Sequence, residues 1–155
     1  MLPHLARVGA LVNVANPLHV PQWQETQAAA AKASLRAFDH FAREKVEAVL
    51  VPLDVTFLAY GAHIAEQAVK LWLPTFFFAN ESVTAGGLLS YGPNLVENYR
   101  RAAIYVDKIL RGANPGELAI ERPTKFELAI NLKTAEAICL TIPPTLLAPA
   151  NEVIE

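Results

Sequence analysis

Residues 47–79 read E-A-V-L-V-P-L-D-V-T-F-L-A-Y-G-A-H-I-A-E-Q-A-V-K-L-W-L-P-T-F-F-F-A, and this stretch decides the fold class. Glu47–Leu53 is a short apolar run of the length of a buried strand. Asp54 follows, and its side-chain oxygen suits the backbone N–H groups of a first helical turn. From there to about Leu71, residues Phe57, Leu58, Gly61, Ile64, Ala65, Ala68 and Trp72 build the inner face of one predicted helix. Pro74–Ala79 is a second apolar run of strand length. Strand, helix, strand is the repeating unit of an α/β fold.

The same alternation extends in both directions. Upstream, Arg7–Val14 predicts a strand stopped by Ala15-Asn16-Pro17. Between Val20 and Lys45 the spacing of Trp23, Gln27, Ala30, Ala31, Leu35, Phe38, Phe41 and Ala42 predicts one long helix. Downstream, the polar segment Asn80–Ala85 reads as a connection, and Gly86-Gly87 leads into a strand at Leu88–Gly92. Pro93 is expected to open an amphipathic helix, because its missing N–H is harmless in a first turn. Leu95, Tyr99, Ala102, Ala103, Val106, Ile109 and Leu110 form one face, and Gly112 supplies the stop. Phe126–Leu132 reads as the last strand, Lys133–Leu140 as a short helix and Pro143–Pro149 as a capped turn. The pattern predicts a single α/β domain over residues 1–155, with a mainly parallel sheet flanked by helices. In such sheets ligands sit beyond the carboxyl ends of the strands.

Bulk composition narrows the function classes. The 155 residues are 53% hydrophobic and only 18% charged, which fits strands buried on both faces or a surface that expects a partner. A net charge of −2, with both signs interspersed, makes no footprint for nucleic acid or an anionic membrane surface. Cys139 is the lone cysteine, which excludes an internal disulfide and a cysteine-based metal cage. The opening Met1-Leu2-Pro3-His4-Leu5 lacks a basic segment before an apolar one, so no signal peptide is expected. No apolar run approaches the ~20 residues of a membrane span, so no direct membrane insertion is expected.

The motifs for catalysis are absent or incomplete. His63 and Glu66 stand three apart on a predicted helix, a spacing that suits a metal, but no third ligand accompanies them. Gly87–Gly92 carries Ser90 but has Leu88 where a nucleophile elbow needs glycine, and no histidine follows it. Gly112–Gly116 follows a helix and lacks the lysine of a phosphate loop. The reading is therefore a non-enzyme with no cofactor. What remains is a set of short polar groups at strand ends: Asn13, Asn16, Asp54, Thr56, Asn80, Glu81, Ser90, Tyr91 and Asn94. Taken singly these are caps and turns. Taken together they line a cleft in which helix-start N–H groups hold a carboxylate and Phe57 and Tyr91 contact an apolar group.

Several segments also resemble one bacterial family. Pro123–Ala135, P-T-K-F-E-L-A-I-N-L-K-T-A, and T-I-P-P-T-L-L from Thr141 are similar to the C-terminal signature of ABC transporter substrate-binding proteins of the tryptophan/tyrosine type. Gly86–Asn94, Tyr105–Gly112, L-V-N-V-A-N-P near the start and the closing N-E-V-I-E resemble the same family. The resemblance implies one lobe of a type I periplasmic-binding-protein-like fold that binds a small amino-acid-like or organic solute. It further implies delivery to an ABC permease from a periplasmic or lipid-anchored position. On this comparison residues 1–90 are the core of one lobe, and 91–155 pack on another lobe or on a partner chain. Met1 falls where relatives are already well into their sequence, a strand is missing between residues 28 and 46, and Cys139 replaces a common glycine. A lost strand exposes a sheet edge, which leads to the expectation of a homodimer. The alternative is a remnant that folds and dimerises without binding solute.

Overall fold

The computed structural model describes residues 6–11 and 37–155. In chain order these form β1 (Val8–Ala10), α1 (37–43), β2 (Ala48–Val51), α2 (Val55–Ala59), α3 (Gly61–Lys70), β3 (Thr75–Phe77) and α4 (Asn80–Thr84). Then follow β4 (Leu89–Pro93), α5 (Leu95–Leu110), a 3-10 turn at Pro115–Glu117, β5 (Phe126–Asn131), α6 (Leu132–Ala137), α7 (Pro144–Leu147) and β6 (Glu152–Ile154). The six strands lie in one sheet in the order β1-β2-β3-β4-β5-β6. Every pairing is parallel except β4 with β5.

Strand periodicity sorts the side chains onto two faces. On one face, Val49, Val51 and Phe77 meet Phe38 and Phe41 from α1 and Ile64 and Ala68 from α3. α4 packs on the same face further along, where Asn131 Nδ2 donates to the Val83 carbonyl at 3.1 Å. On the other face, Leu89, Ile130 and the flanking Phe76 and Leu128 meet Ile138, Ile142 and Leu146 from the C-terminal segment. Full burial of side chains such as Phe77, Ile64 and Ile130 stabilises the fold by about 1.5–3 kcal/mol each.

The α/β class and the mainly parallel sheet agree with the pattern in the sequence, while several local expectations need correction. The predicted Asp54–Leu71 helix is two helices that meet at Tyr60, the C-cap of one and the N-cap of the next. Gly61 opens the second, where a Cβ would stand 3.1 Å from Ser82 Oγ, so the break lets α3 and α4 approach closely. Asn80–Thr84 is a helix rather than a connection, because Ser82 and Val83 are buried and Gly86 closes it at φ +113°. Pro93 does not open α5. It ends β4 opposite Phe126, where a missing N–H breaks no further ladder bond, and Asn94 caps the helix instead. Phe126–Asn131 is not the last strand, since β6 pairs beside it. Of the long predicted helix only 37–43 falls among the described helical residues.

Candidate functional site

Parallel β1–β4 and antiparallel β5 put the ends of β2, β3 and β4 and the start of β5 on the same edge of the sheet. Most of the predicted site residues lie there. At its centre is a chain of side-chain hydrogen bonds. Ser90 Oγ donates to Asn80 Oδ1 at 3.0 Å, and Asn80 Nδ2 donates to Glu127 Oε2 at 3.2 Å. Asn94 Nδ2 donates to Glu127 Oε1 at 2.5 Å, while Asn94 Oδ1 accepts from the Glu97 backbone N–H at 2.7 Å. The network thus joins the start of α4, the centre of β4, the cap of α5 and the start of β5.

Register explains the grouping. Gly92 pairs with Glu127 and Ser90 with Ala129, so Ser90, Gly92 and Glu127 point to the face that carries α4. Gly92 is required at this point: a Cβ there would stand 2.0 Å from the Phe78 carbonyl oxygen. Ser90 is 0% exposed, so its hydroxyl supports Asn80 from beneath. Asn80 is half-buried and Glu81 is exposed in the first turn of α4.

Asp54 Oδ1 accepts from the Thr56 backbone N–H at 2.8 Å and caps α2. Phe57 is half-buried and packs against the core cluster beneath α3. Tyr91 is on the opposite face from the Asn80 network and stacks on Phe126, with ring centroids 5.7 Å apart. Leu53, Val55, Leu58 and Phe78 are exposed at the same end of the sheet. The structure therefore groups Asn80, Ser90 and Asn94, sets Asp54, Thr56 and Phe57 beside β2, and puts Tyr91 on the other side of the sheet. Asn13 and Asn16 lie outside the described residues.

Glu127 is the group that sequence reasoning missed. Its signal was an acidic residue at the second position of an otherwise apolar strand, on the same face as Ala129 and Asn131. Both its oxygens are held by neutral amides, and none of the ion pairs among the described residues includes it. Glu66 pairs with Lys70 at 2.6 Å rather than with His63, and that contact holds its carboxyl below the ordinary value. No group of three or more metal-ligating side chains is present among the described residues. No helix described is long and apolar enough to cross a membrane.

The model for the ABC transporter substrate binding protein family matches residues 1–154. Among solved structures, a conserved domain protein from Vibrio cholerae O1 biovar El Tor has 25% sequence identity and a TM-score of 0.81, covering 98% of this chain and 56% of that one. A domain from Streptococcus pneumoniae in complex with L-Trp has 23% identity and a TM-score of 0.77, covering 98% of this chain and 57% of that one. A ligand-free, open substrate-binding protein with adhesive properties from Clostridium difficile has 14% identity and a TM-score of 0.59, covering 95% and 52%. The chain thus spans just over half the length of each of these structures. No curated protein matches.

Proposed function

We propose that the chain, which belongs to the ABC transporter substrate binding protein family, binds a small amino-acid-like or organic solute at the carboxyl end of its sheet. The observation that carries this reading is the Ser90–Asn80–Glu127–Asn94 network at the carboxyl end of the sheet, the end at which Leu53 and Leu58 are also exposed. A few fixed polar groups within an apolar surround are what a small-molecule site requires. Asn80 and Asn94 are oriented by their partners, so their remaining polar capacity is available in a defined direction. Asp54 and Thr56, at the end of β2, border the same surface, and Phe57 and Glu81 flank it. The L-Trp bound to the pneumococcal structure supports an amino-acid-like solute.

The family is one of substrate-binding proteins rather than an enzyme class, which supports a receptor without catalytic residues or a cofactor. Its role is then to present solute to the permease of an ABC-type importer from a periplasmic or lipid-anchored position. The alternative reading is a remnant that acts only as a folded, dimeric structural or interaction domain without binding solute.

A thermal-shift screen against amino acids and small aromatic or carboxylate solutes, followed by calorimetry, separates the two. A saturable rise in Tm with one solute class is expected, because ligand bound only to the folded state stabilises it by mass action. Asn80→Ala should abolish that rise, since it removes both a site amide and the orientation of Glu127. A folded chain that shows no shift with any solute overturns the binding reading.

A further inference from the structure

The Glu127 carboxylate has no cationic partner among the described residues. Asn80 Nδ2 donates to its Oε2 at 3.2 Å and Asn94 Nδ2 to its Oε1 at 2.5 Å, and both donors are neutral amides. Lys125, the nearest cation along the chain, is exposed and forms no ion pair with it. Glu127 itself is half-buried at the start of β5, on the face that carries α4. Part of its hydration is lost there, yet acceptor capacity remains, because two carboxylate oxygens offer about four lone-pair sites and the amides use one each.

The orientation of the two amides decides what this carboxylate can accept. Asn80 Oδ1 accepts from Ser90 Oγ at 3.0 Å, and Asn94 Oδ1 accepts from the Glu97 backbone N–H at 2.7 Å. Both amide oxygens are therefore committed elsewhere, and both NH2 groups face Glu127. A hard metal ion needs about six or more oxygen ligands, and this cluster offers it a single carboxylate. No group of three or more His, Cys, Asp or Glu side chains that could hold a metal is present among the described residues. An anion would meet like charge at the centre of the cluster. What fits is a compact cation that brings N–H donors of its own.

We propose that Glu127 is the ammonium subsite of the solute site: the solute carries a protonated amine, which donates to the Glu127 oxygens beside the amides of Asn80 and Asn94. The assignment rests on the solute-binding reading above and adds to it the charge that the solute bears. Asn80 and Asn94 are positioning residues here. Each fixes one oxygen, so the carboxylate meets the amine already oriented. Hydrogen bonds with an ionised partner are roughly twice as strong as neutral ones, so the amine outweighs any neutral group offered at the same place.

Titration calorimetry of the unmodified chain with matched solutes that differ only in the amine tests the proposal. The pairs are L-tryptophan and indolepropionate, L-phenylalanine and hydrocinnamate, and L-leucine and isocaproate. At least one amino acid should bind, and its des-amino partner should bind about 10- to 100-fold more weakly, the worth of one hydrogen bond to a charged group. Glu127→Gln keeps the size of the side chain and removes its charge. In a variant whose circular dichroism matches the parent, the preference should shrink to within about threefold. Des-amino solutes that bind as tightly as the amino acids overturn the assignment and leave the solute-binding reading standing, as does a folded Glu127→Gln that keeps the preference. If that variant does not fold, the matched pairs on the unmodified chain decide alone. A chain that binds no member of any pair overturns both.

Discussion

Gly92→Ala puts the close contact of β4 with β3 under direct test. A methyl at Gly92 would lie 2.0 Å from the Phe78 carbonyl oxygen and 3.0 Å from its carbon. Carbon and oxygen come no closer than about 3.3 Å even in favourable C–H···O contacts, so one backbone must retreat by about 1 Å. Neither is free to do so. Phe77 beside Phe78 is fully buried and pairs with Ser90, while Gly92 is held opposite Glu127. Overpacking a rigid site costs about 1–3 kcal/mol, and the backbone nature of the clash favours the upper end. At about 2–4 °C per kcal/mol for a chain of this size, Tm should fall by roughly 6–12 °C.

Two further glycines supply the controls. Gly116→Ala meets nothing closer than Asn114 Oδ1 at 3.5 Å and should stay within about 0.5 kcal/mol of the parent. Gly112→Ala has open space around its Cβ but a φ of +97°, so it should cost about 1 kcal/mol from conformation alone. Differential scanning calorimetry of the three variants gives the ranking. If Gly92→Ala melts with Gly116→Ala, the strand contact at Phe78 is looser than described and the argument for a fixed Asn80–Glu127 geometry falls with it.

Cys139 has a φ of +52° at the end of α6, a conformation that costs an ordinary residue about 1–2 kcal/mol. Cys139→Gly should therefore raise Tm by several degrees, and a fall would show that the thiol makes a contact worth more than the strain it carries. Glu47 accepts the Ala6 and Arg7 backbone N–H groups at 2.7 and 3.4 Å, and these bonds hold its carboxyl below the ordinary value of 4.5. The folded group binds its proton less tightly than the unfolded one. Its contribution is thus complete above the ordinary value and lost as pH falls through the lowered one. Hydrogen exchange at β1 should quicken over that window in the parent and show no such step in Glu47→Gln; identical profiles would sever the link between Glu47 and the edge strand.

Strands buried on both faces carry their signal in composition, which is why β2, β3 and β5 were legible within a residue or two. Asp54 was legible as a cap for the same local reason: a short acceptor before an apolar periodic run. Tertiary causes hid the rest. Nothing within Asn80–Thr84 favours a helix over a turn, and the helix exists because Ser82 and Val83 find cover beneath Gly87 and beside Asn131. Pro93 looked like a first-turn proline because sequence cannot show that β5 returns antiparallel to pair with it. The same long-range pairing hid Glu127, which meets Asn80 from 47 positions away. Conversely, the apolar face of α5 was read correctly as a stripe, but periodicity alone cannot say what a stripe packs against.

The route of the chain ties α5 to the candidate site. The excursion through α5 leaves the sheet at Pro93 and returns at Phe126, residues that pair with each other, so the helix is anchored at one narrow base. That base is the Glu127 network: Asn94 caps α5 with its oxygen and reaches Glu127 with its nitrogen. Asn94 also takes its backbone N–H to the Lys125 carbonyl, closing the base at the return strand. Asn94 and Glu127 thus connect the first turn of α5 to Asn80 by side-chain hydrogen bonds. A solute that reorients Asn80 changes the donor that Glu127 receives and, through Asn94, the angle of the helix. The candidate site and the base of α5 therefore share a hydrogen-bonded pivot, and solute binding should alter hydrogen exchange along α5. Equal exchange rates along α5 with and without solute would refute that coupling.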